Sequence, residues 1–177
     1  YNYPSKEERP WLQSLIDEDA FSESPIGEDH PDVQEGLNLL QAWTQTGITD
    51  ENYVELQTDY MRLFIGAGKV KAAPWESVYF SEDRQTFQER TLDVRHWYQR
   101  FGVEAEKLYR EPDDHIGLEM SFLAHLTRQA LQASEAGQLA VYMSRQEARK
   151  QFLSEHLLMW AIPWCNLVAE HARTDFY

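Results

Sequence analysis

Glu111-Pro112-Asp113-Asp114-His115-Ile116-Gly117-Leu118-Glu119 sets three acids and a histidine around a proline, immediately before an apolar periodic segment that begins near Ile116. Pro112 disfavours helical geometry at Glu111 and so marks a boundary. Asp113 is suited to accept hydrogen bonds from the first free amides of a helix and to face its positive end. The stretch therefore reads as a loop feeding a helix, with His115 and Glu119 four apart on one helical face. On spacing alone this is also what a capped helix start with solvated acids looks like.

The chain on both sides keeps the helical period. Downstream, Met120, Leu123, Leu126, Thr127, Ala130 and Leu131 carry an apolar face to about Ala133. Ser144 with Glu147 three on predicts a capping box, and the helix behind it uses Ala148, Phe152, His156, Met159 and Trp160. Pro163 predicts a kink or restart before a short terminal helix through Leu167 and Val168. Upstream, Ser81 with Glu82 and Asp83 predicts a helix start, carrying Phe87, Val94, Trp97, Tyr98 and Phe101 to a left-handed stop at Gly102. Pro74-Trp75-Glu76-Ser77-Val78-Tyr79 reads as an extended piece with an exposed tryptophan and tyrosine. Asp50 predicts the start of a helix bearing Tyr53, Leu56, Tyr60, Leu63 and Phe64 and stopping at Gly66, and Pro31 that of another bearing Val33, Leu37, Leu40 and Trp43 and ended by Gly47. Ser22 to Pro31 reads as a loop, after a short amphipathic piece around Trp11, Leu12, Leu15 and Ile16. No segment alternates with period two. The expectation is an all-α fold, an irregular single-domain bundle of six or seven helices spanning residues 1–177.

Composition bounds the function. A chain of 177 residues is long enough to bury a core without metals or disulfides. Its 6 Trp, 9 Tyr and 8 Phe exceed what such a core needs, which places some rings on a binding surface. With 16 Lys and Arg against 30 Asp and Glu, the formal charge of -14 disfavours nucleic acid and anionic membranes and favours a basic ligand. One cysteine, Cys165, excludes an internal disulfide and fits a reducing compartment. No apolar run approaches the roughly 18 residues a bilayer span needs, and no signal peptide is visible, so a cytoplasmic location without stable membrane insertion is expected.

Catalytic patterns are weak. Gly66-Ala67-Gly68-Lys69 fails as a phosphate loop, since Leu63 stands where the first glycine is needed and Val70 where Ser or Thr is. The six histidines show no zinc spacing; His115 and Glu119 share a face, but His125 is off-line from them. His125 and His156 fall within apolar faces and read as hydrogen-bonded core residues. What remains is binding: an acidic patch of Glu111, Asp113, Asp114 and Glu119 would hold guanidinium groups, with Trp75 and Tyr79 to stack on them or floor an apolar groove.

Three blocks then make a family visible. Tyr60-Met61-Arg62-Leu63-Phe64 with its glycine loop, Pro74 to Tyr79, and Glu111 to His115 with Glu119 occur in order, together with the Trp97 helix and the run from His156 through Trp160 to Pro163-Trp164. In these blocks, over about residues 50 to 170, the chain resembles the TorD/DmsD family of cytoplasmic chaperones that mature molybdenum-containing reductases. The resemblance implies an all-helical fold, no catalysis and no bound cofactor or metal of its own. It implies binding of the twin-arginine signal peptide of a molybdopterin-dependent apoenzyme, restraint of export, and help with cofactor insertion. By resemblance, Asp114 and His115 form the centre of the peptide site, Trp75, Ser77 and Tyr79 line it, and Glu111, Pro112 and Glu119 complete it. It also implies a monomer, with a domain-swapped dimer hinged at residues 110–115 as the alternative. The family's first apolar helix has no counterpart before Tyr3-Pro4. Two other classes stay open on the residues: a helical adaptor for some other basic amphipathic segment, and a metal-dependent hydrolase centred on Asp114, His115 and Glu119.

Overall fold

The computed structural model describes residues 3–20, 27, 30–66, 70–81, 83, 86, 89–104 and 111–177. Those residues form seven helices of at least two turns and one single turn, in the order α1 (Arg9–Asp17), α2 (Pro31–Gln45), α3 (Asp50–Tyr60), α4 (Ser77–Phe80), α5 (Glu89–Arg100), α6 (Ile116–Glu135), α7 (Leu139–Phe152) and α8 (Leu158–His171). There is no strand among them, only one isolated antiparallel bridge between Trp75 and His115. The fold is all-α. Phe87, Glu82, Ala67 to Lys69 and most of the predicted Ser22–Pro31 loop lie outside the described residues.

The chain groups into two compact units, Ala73–Asn166 and Asn2–Ala72 with Leu167–Tyr177. In the second, Pro31 occupies the first turn of α2 as its fixed φ favours, and Gly47, with φ of 70°, turns the chain out of it. α3 starts at Asp50 as expected, and Thr49 caps it, its hydroxyl accepting from the Asn52 amide. The last turn, Met61–Ile65, widens to i→i+5 bonding, and the neighbours Leu63 and Phe64 are both buried there. Leu12, Trp43, Tyr53 and Leu56 make the core, with Ile16, Ile48 and the C-terminal Phe176 and Tyr177 packed on it.

The C-terminal segment is tied down by one carboxylate. Asp59 is 2% exposed; its Oδ2 accepts from the backbone amides of Arg173 (2.7 Å) and Thr174 (3.0 Å) and from the Thr174 hydroxyl (3.2 Å). Its Oδ1 pairs with Arg62 at 2.5 Å, and the same Arg62 nitrogen donates to the His171 carbonyl. Burial opposes ionisation at Asp59, but these donors outweigh it and hold the carboxyl below the usual aspartate range.

In the unit Ala73–Asn166, α6 and α7 are joined by Ala136–Gln138 and pack as a helical hairpin. Phe152 lies at its centre with no exposure, 4.8 Å from Phe122 and 4.9 Å from His156 between ring centres. Four expectations need correction here. Ser144 lies inside α7, which starts at Leu139 behind Gln138 and has no side-chain cap. Ser81 ends α4 and does not open α5, which is described from Glu89. Residues 77–80 are a helical turn, not extended. Pro163 does not restart a helix: it lies inside α8, which runs from Leu158 to His171.

Candidate functional site

The quoted stretch is held against Pro74–Ser77 by the backbone. Glu76 N–H donates to the Asp114 carbonyl at 3.0 Å, and Ile116 N–H donates to the Pro74 carbonyl at 2.9 Å. These two bonds make the Trp75–His115 bridge and set the two side chains next to each other, ring centres 5.9 Å apart and edge to face. The indole Nε1–H of Trp75 donates to Glu111 Oε1 at 2.6 Å. Trp75, Glu111 and His115 are half-buried and form the reachable part of the site. Tyr79, also half-buried, donates its hydroxyl to the Ala73 carbonyl and leans on Trp160 with 5.4 Å between ring centres.

The other acids do not form a surface patch, which corrects the sequence expectation. Asp113, Asp114 and Glu119 are at most 1% exposed. Asp114 Oδ2 accepts from the Ser77 amide at 2.7 Å, so it caps the single turn α4, and Oδ1 accepts from the Thr91 hydroxyl at 2.9 Å, which ties in α5. Asp113 Oδ2 takes both Nε (2.9 Å) and Nη2 (2.6 Å) of Arg95, and its carbonyl takes the Tyr98 hydroxyl at 2.8 Å. Asp113 is therefore no cap of α6. His115 is that cap, its Nδ1 accepting from the Gly117 amide at 3.0 Å. Pro112 is buried and offers its carbonyl to the His115 amide at 3.2 Å. Ser77 has a buried hydroxyl for which the described residues supply no partner.

A second polar layer lies beside these. Glu76, fully buried, meets His156 Nδ1 at 3.0 Å and Arg90 Nη1 at 3.2 Å. Trp160 Nε1 donates to Glu119 Oε2 at 3.3 Å, while Oε1 finds no partner among the described residues. Burial, then the charge of Glu76 and, least, that of Asp114 push the Glu119 carboxyl up to about 9, against the opposing pull of the Trp160 bond. It is protonated at neutral pH. Burial likewise drops His115 to about 4, so the imidazole is neutral, as a ring that accepts at Nδ1 must be. Tyr98, surrounded by low-dielectric packing and by Glu119 and Asp113, ionises only well above the ordinary phenol range.

Of the sequence candidates, the fold brings Trp75, Glu111 and His115 together at the surface and puts Pro112, Ser77, Asp114 and Glu119 beneath them. Glu76, Arg90, Thr91, Arg95 and Tyr98 were not singled out, although Glu76 stands inside a quoted block. His156 is a hydrogen-bonded core histidine as expected; His125 is not, since its buried Nε2 has no partner among the described residues. Nor does the set Asp114, His115 and Glu119 suit a hydrolytic metal, because Asp114 spends both oxygens on in-chain donors, His115 spends Nδ1, and Glu119 is neutral.

The neutral Glu119 makes a testable demand. A folded value above the unfolded one means that only the unfolded chain has lost this proton between roughly pH 4.5 and 9, so stability falls as pH rises through that window. Glu119→Gln cannot titrate. In urea unfolding at pH 5, 7 and 9, the variant should match the wild type most closely at pH 5 and gain on it steadily to pH 9. A constant difference across the three would mean that Glu119 ionises normally in the folded chain.

The reachable part of the site is thus an aromatic and a carboxylate beside a neutral imidazole, held from beneath by buried hydrogen-bonded acids. Comparison with known proteins gives its kin. The family described as "Nitrate reductase delta subunit" matches residues 27–166. The chain is 27% identical over 175 residues to the chaperone protein TorD of Aliivibrio fischeri, covering 99% of this chain and 75% of that one. It is 32% identical over 162 residues to TorD of Vibrio cholerae serotype O1, covering 89% and 65%, and 27% identical over 177 residues to the Tat proofreading chaperone DmsD of Salmonella typhi, covering 100% and 75%. A crystal structure from Archaeoglobus fulgidus aligns with TM-score 0.41 and 22% identity over 85% of this chain and 95% of that one, a likeness too slight to add to the assignment. The chain belongs to the TorD/DmsD family of chaperones within that delta-subunit family, and it is not an enzyme. No helix among the described residues is long and apolar enough to cross a membrane.

Proposed function

We propose that the chain binds the twin-arginine signal peptide of a molybdopterin-dependent reductase apoenzyme in the cytoplasm, holds back its export and assists cofactor insertion. The observation that carries the reading is the hydrogen-bonded pair of Trp75 and Glu111 with His115 edge-on beside it. An aromatic face next to a carboxylate suits a guanidinium, which stacks on one and donates to the other. His115, uncharged, adds apolar area and does not repel the arginines. Asp114, Ser77, Pro112 and Glu119 serve from below: they fix the position of the two backbone segments that carry Trp75 and His115. Tyr79 extends the aromatic side of the site toward the apolar part of the peptide. Relatives named chaperone TorD and Tat proofreading chaperone DmsD support this reading.

The chain acts as one domain and a monomer. Swapping about residues 110–115 would have to break the part-buried Asp113–Arg95 pair and both buried Asp114 bonds. The test of the reading is calorimetric titration of the protein with a twin-arginine signal peptide and with its twin-lysine version. Lysine keeps the charge and loses the planar fork, so the lysine peptide should bind at least about tenfold more weakly, on the order of 1.4 kcal/mol. Equal affinities would mean that acidity alone attracts the ligand, and the chain would then be an adaptor for basic amphipathic segments in general.

A further inference from the structure

Periodicity in the sequence gives α6 a single apolar face, but the folded chain divides it. Leu123, Leu126 and Ala130 are buried, while Met120 and Leu131 are 52% and 59% exposed. Ala124 and Thr127 between them are exposed as well. Met120, Ala124, Thr127 and Leu131 follow one another at intervals of four, three and four, the spacing at which a second helix seats its side chains. The middle of this seam is small. Thr127 donates its hydroxyl to the Leu123 carbonyl at 2.8 Å, so that proton needs no acceptor from a partner. No acid occurs on α6 from Met120 to Ser134, an exception in a chain of formal charge -14, and Glu119 ahead of the seam is buried and protonated. The cations at its edge are Arg128, next to Thr127 in the chain, and Arg149, whose Nη1 lies 3.4 Å from the Thr127 hydroxyl. A basic segment finds nothing to pair with here; an uncharged apolar one loses nothing by binding.

The seam begins where the Trp75 platform ends. His115, which stands edge-on to Trp75, caps α6. Met120 follows about 7.5 Å along the helix axis at 1.5 Å per residue, and Leu131 lies ~16 Å beyond it. We infer that this seam takes the apolar run that follows the arginines of the signal peptide, docked as a helix along α6 while the arginines sit at Trp75 and Glu111. The identity of the occupant rests on the signal-peptide reading above; the seam is a feature of α6 alone. A helical run of about twelve residues, ~18 Å, covers it from end to end. An extended run does not match, since its side chains repeat every two residues and cannot follow a four-three-four spacing. Charge and apolar surface are thereby divided along one ligand: the platform supplies the carboxylate for the arginines, and the acid-free seam supplies the apolar length.

The probes are three capped synthetic peptides that begin Gly-Arg-Arg-Gly-Gly: one continues with about twelve residues of Leu and Ala, one has two prolines at the centre of that run, and one has Gly and Ser in its place. Each is titrated into the isotope-labelled full chain and followed by NMR at the Met120 and Leu131 methyls and at the Trp75 indole. The Leu-Ala peptide should shift all three signals saturably. The other two should still move the indole, leave the methyls unmoved and bind at least tenfold more weakly. Leu131→Gln, a change at an exposed side chain, should weaken the Leu-Ala peptide at least fivefold and leave the affinity of the Gly-Ser peptide unchanged. Unmoved methyls with a shifting indole, equal binding by the proline or Gly-Ser peptide, or wild-type binding to Leu131→Gln would each overturn the seam and leave the arginine site standing. Shifting methyls with an unmoved indole would support the seam and overturn the arginine site. Methyl signals that depend on protein concentration without peptide would assign the seam to a second copy of this chain and overturn the proposal.

Discussion

Asp114→Ala is expected to destabilise the protein by about 3–5 kcal/mol, because it strips buried donors of an ionic partner on both sides. The Ser77 amide and the Thr91 hydroxyl each lose their acceptor in a place that water does not reach. A hydrogen bond to a charged group contributes about 1.5–3 kcal/mol, and a stranded buried donor adds its own desolvation cost. The effect also reaches the surface, since α4 loses its cap and the strand-like pairing of Trp75 with His115 loses the neighbour that fixes it. Urea unfolding should show the midpoint fall by a large fraction of its value with the slope unchanged. Asp114→Asn, which keeps an acceptor, should recover part of the loss. A midpoint equal to the wild type for Asp114→Ala would remove Asp114 from the account as the residue that holds the site together. Peptide binding lost in this variant is in any case no proof of contact, because the carboxylate has no exposure to offer.

Asp59→Ala should cost a comparable amount, about 3–5 kcal/mol, in the other unit. One carboxylate there gathers two backbone amides, a hydroxyl and Arg62, and its loss leaves Arg62 without its ion pair and frees the segment that carries Phe176 and Tyr177 onto Trp43, Tyr60 and Phe64. Since the folded carboxyl sits below the ordinary range, its contribution is present above the unfolded aspartate value of 3.8 and disappears as pH falls through the lower folded value. Limited carboxypeptidase digestion is the direct readout: the last residues should be removed several-fold faster in the variant. Digestion at the wild-type rate would mean that ring packing alone holds the tail.

What could be read in the sequence was what repeats locally. Tyr53, Leu56, Tyr60, Leu63 and Phe64 announce their helix by period, and all five are buried. Pro31 and Gly102 announce ends because their backbone preferences are intrinsic, and Ile116 opens its helix where the pattern starts. Caps were less legible. Ser144 with Glu147 fits the capping pattern, but Leu139 to Met143 had already committed to helix, and tertiary packing against α6 decides that start. The family was visible in the order of the blocks.

The site was legible in membership but not in depth. An acid before a helix looks the same in sequence whether water or Arg95 satisfies it. The partners that bury Asp113 and Asp114 come from α5, 18 and 23 residues away, and those of Glu76 and Glu119 from the far end of the chain, 80 and 41 residues away. No local pattern carries that information.

The central claim is that the peptide meets Trp75, Glu111 and His115, while the acids below only hold them in position. The most direct measurement is the affinity of a twin-arginine signal peptide, by calorimetry, for wild type and for Trp75→Ala/Glu111→Gln, with the melting curve of each recorded alongside. Both side chains are only partly buried, so folding should be kept with a small loss in Tm, while the affinity should drop by at least about tenfold, the equivalent of 1.4 kcal/mol. Wild-type affinity in the double variant, with the fold intact, would contradict the account and move the signal-peptide site elsewhere on the chain.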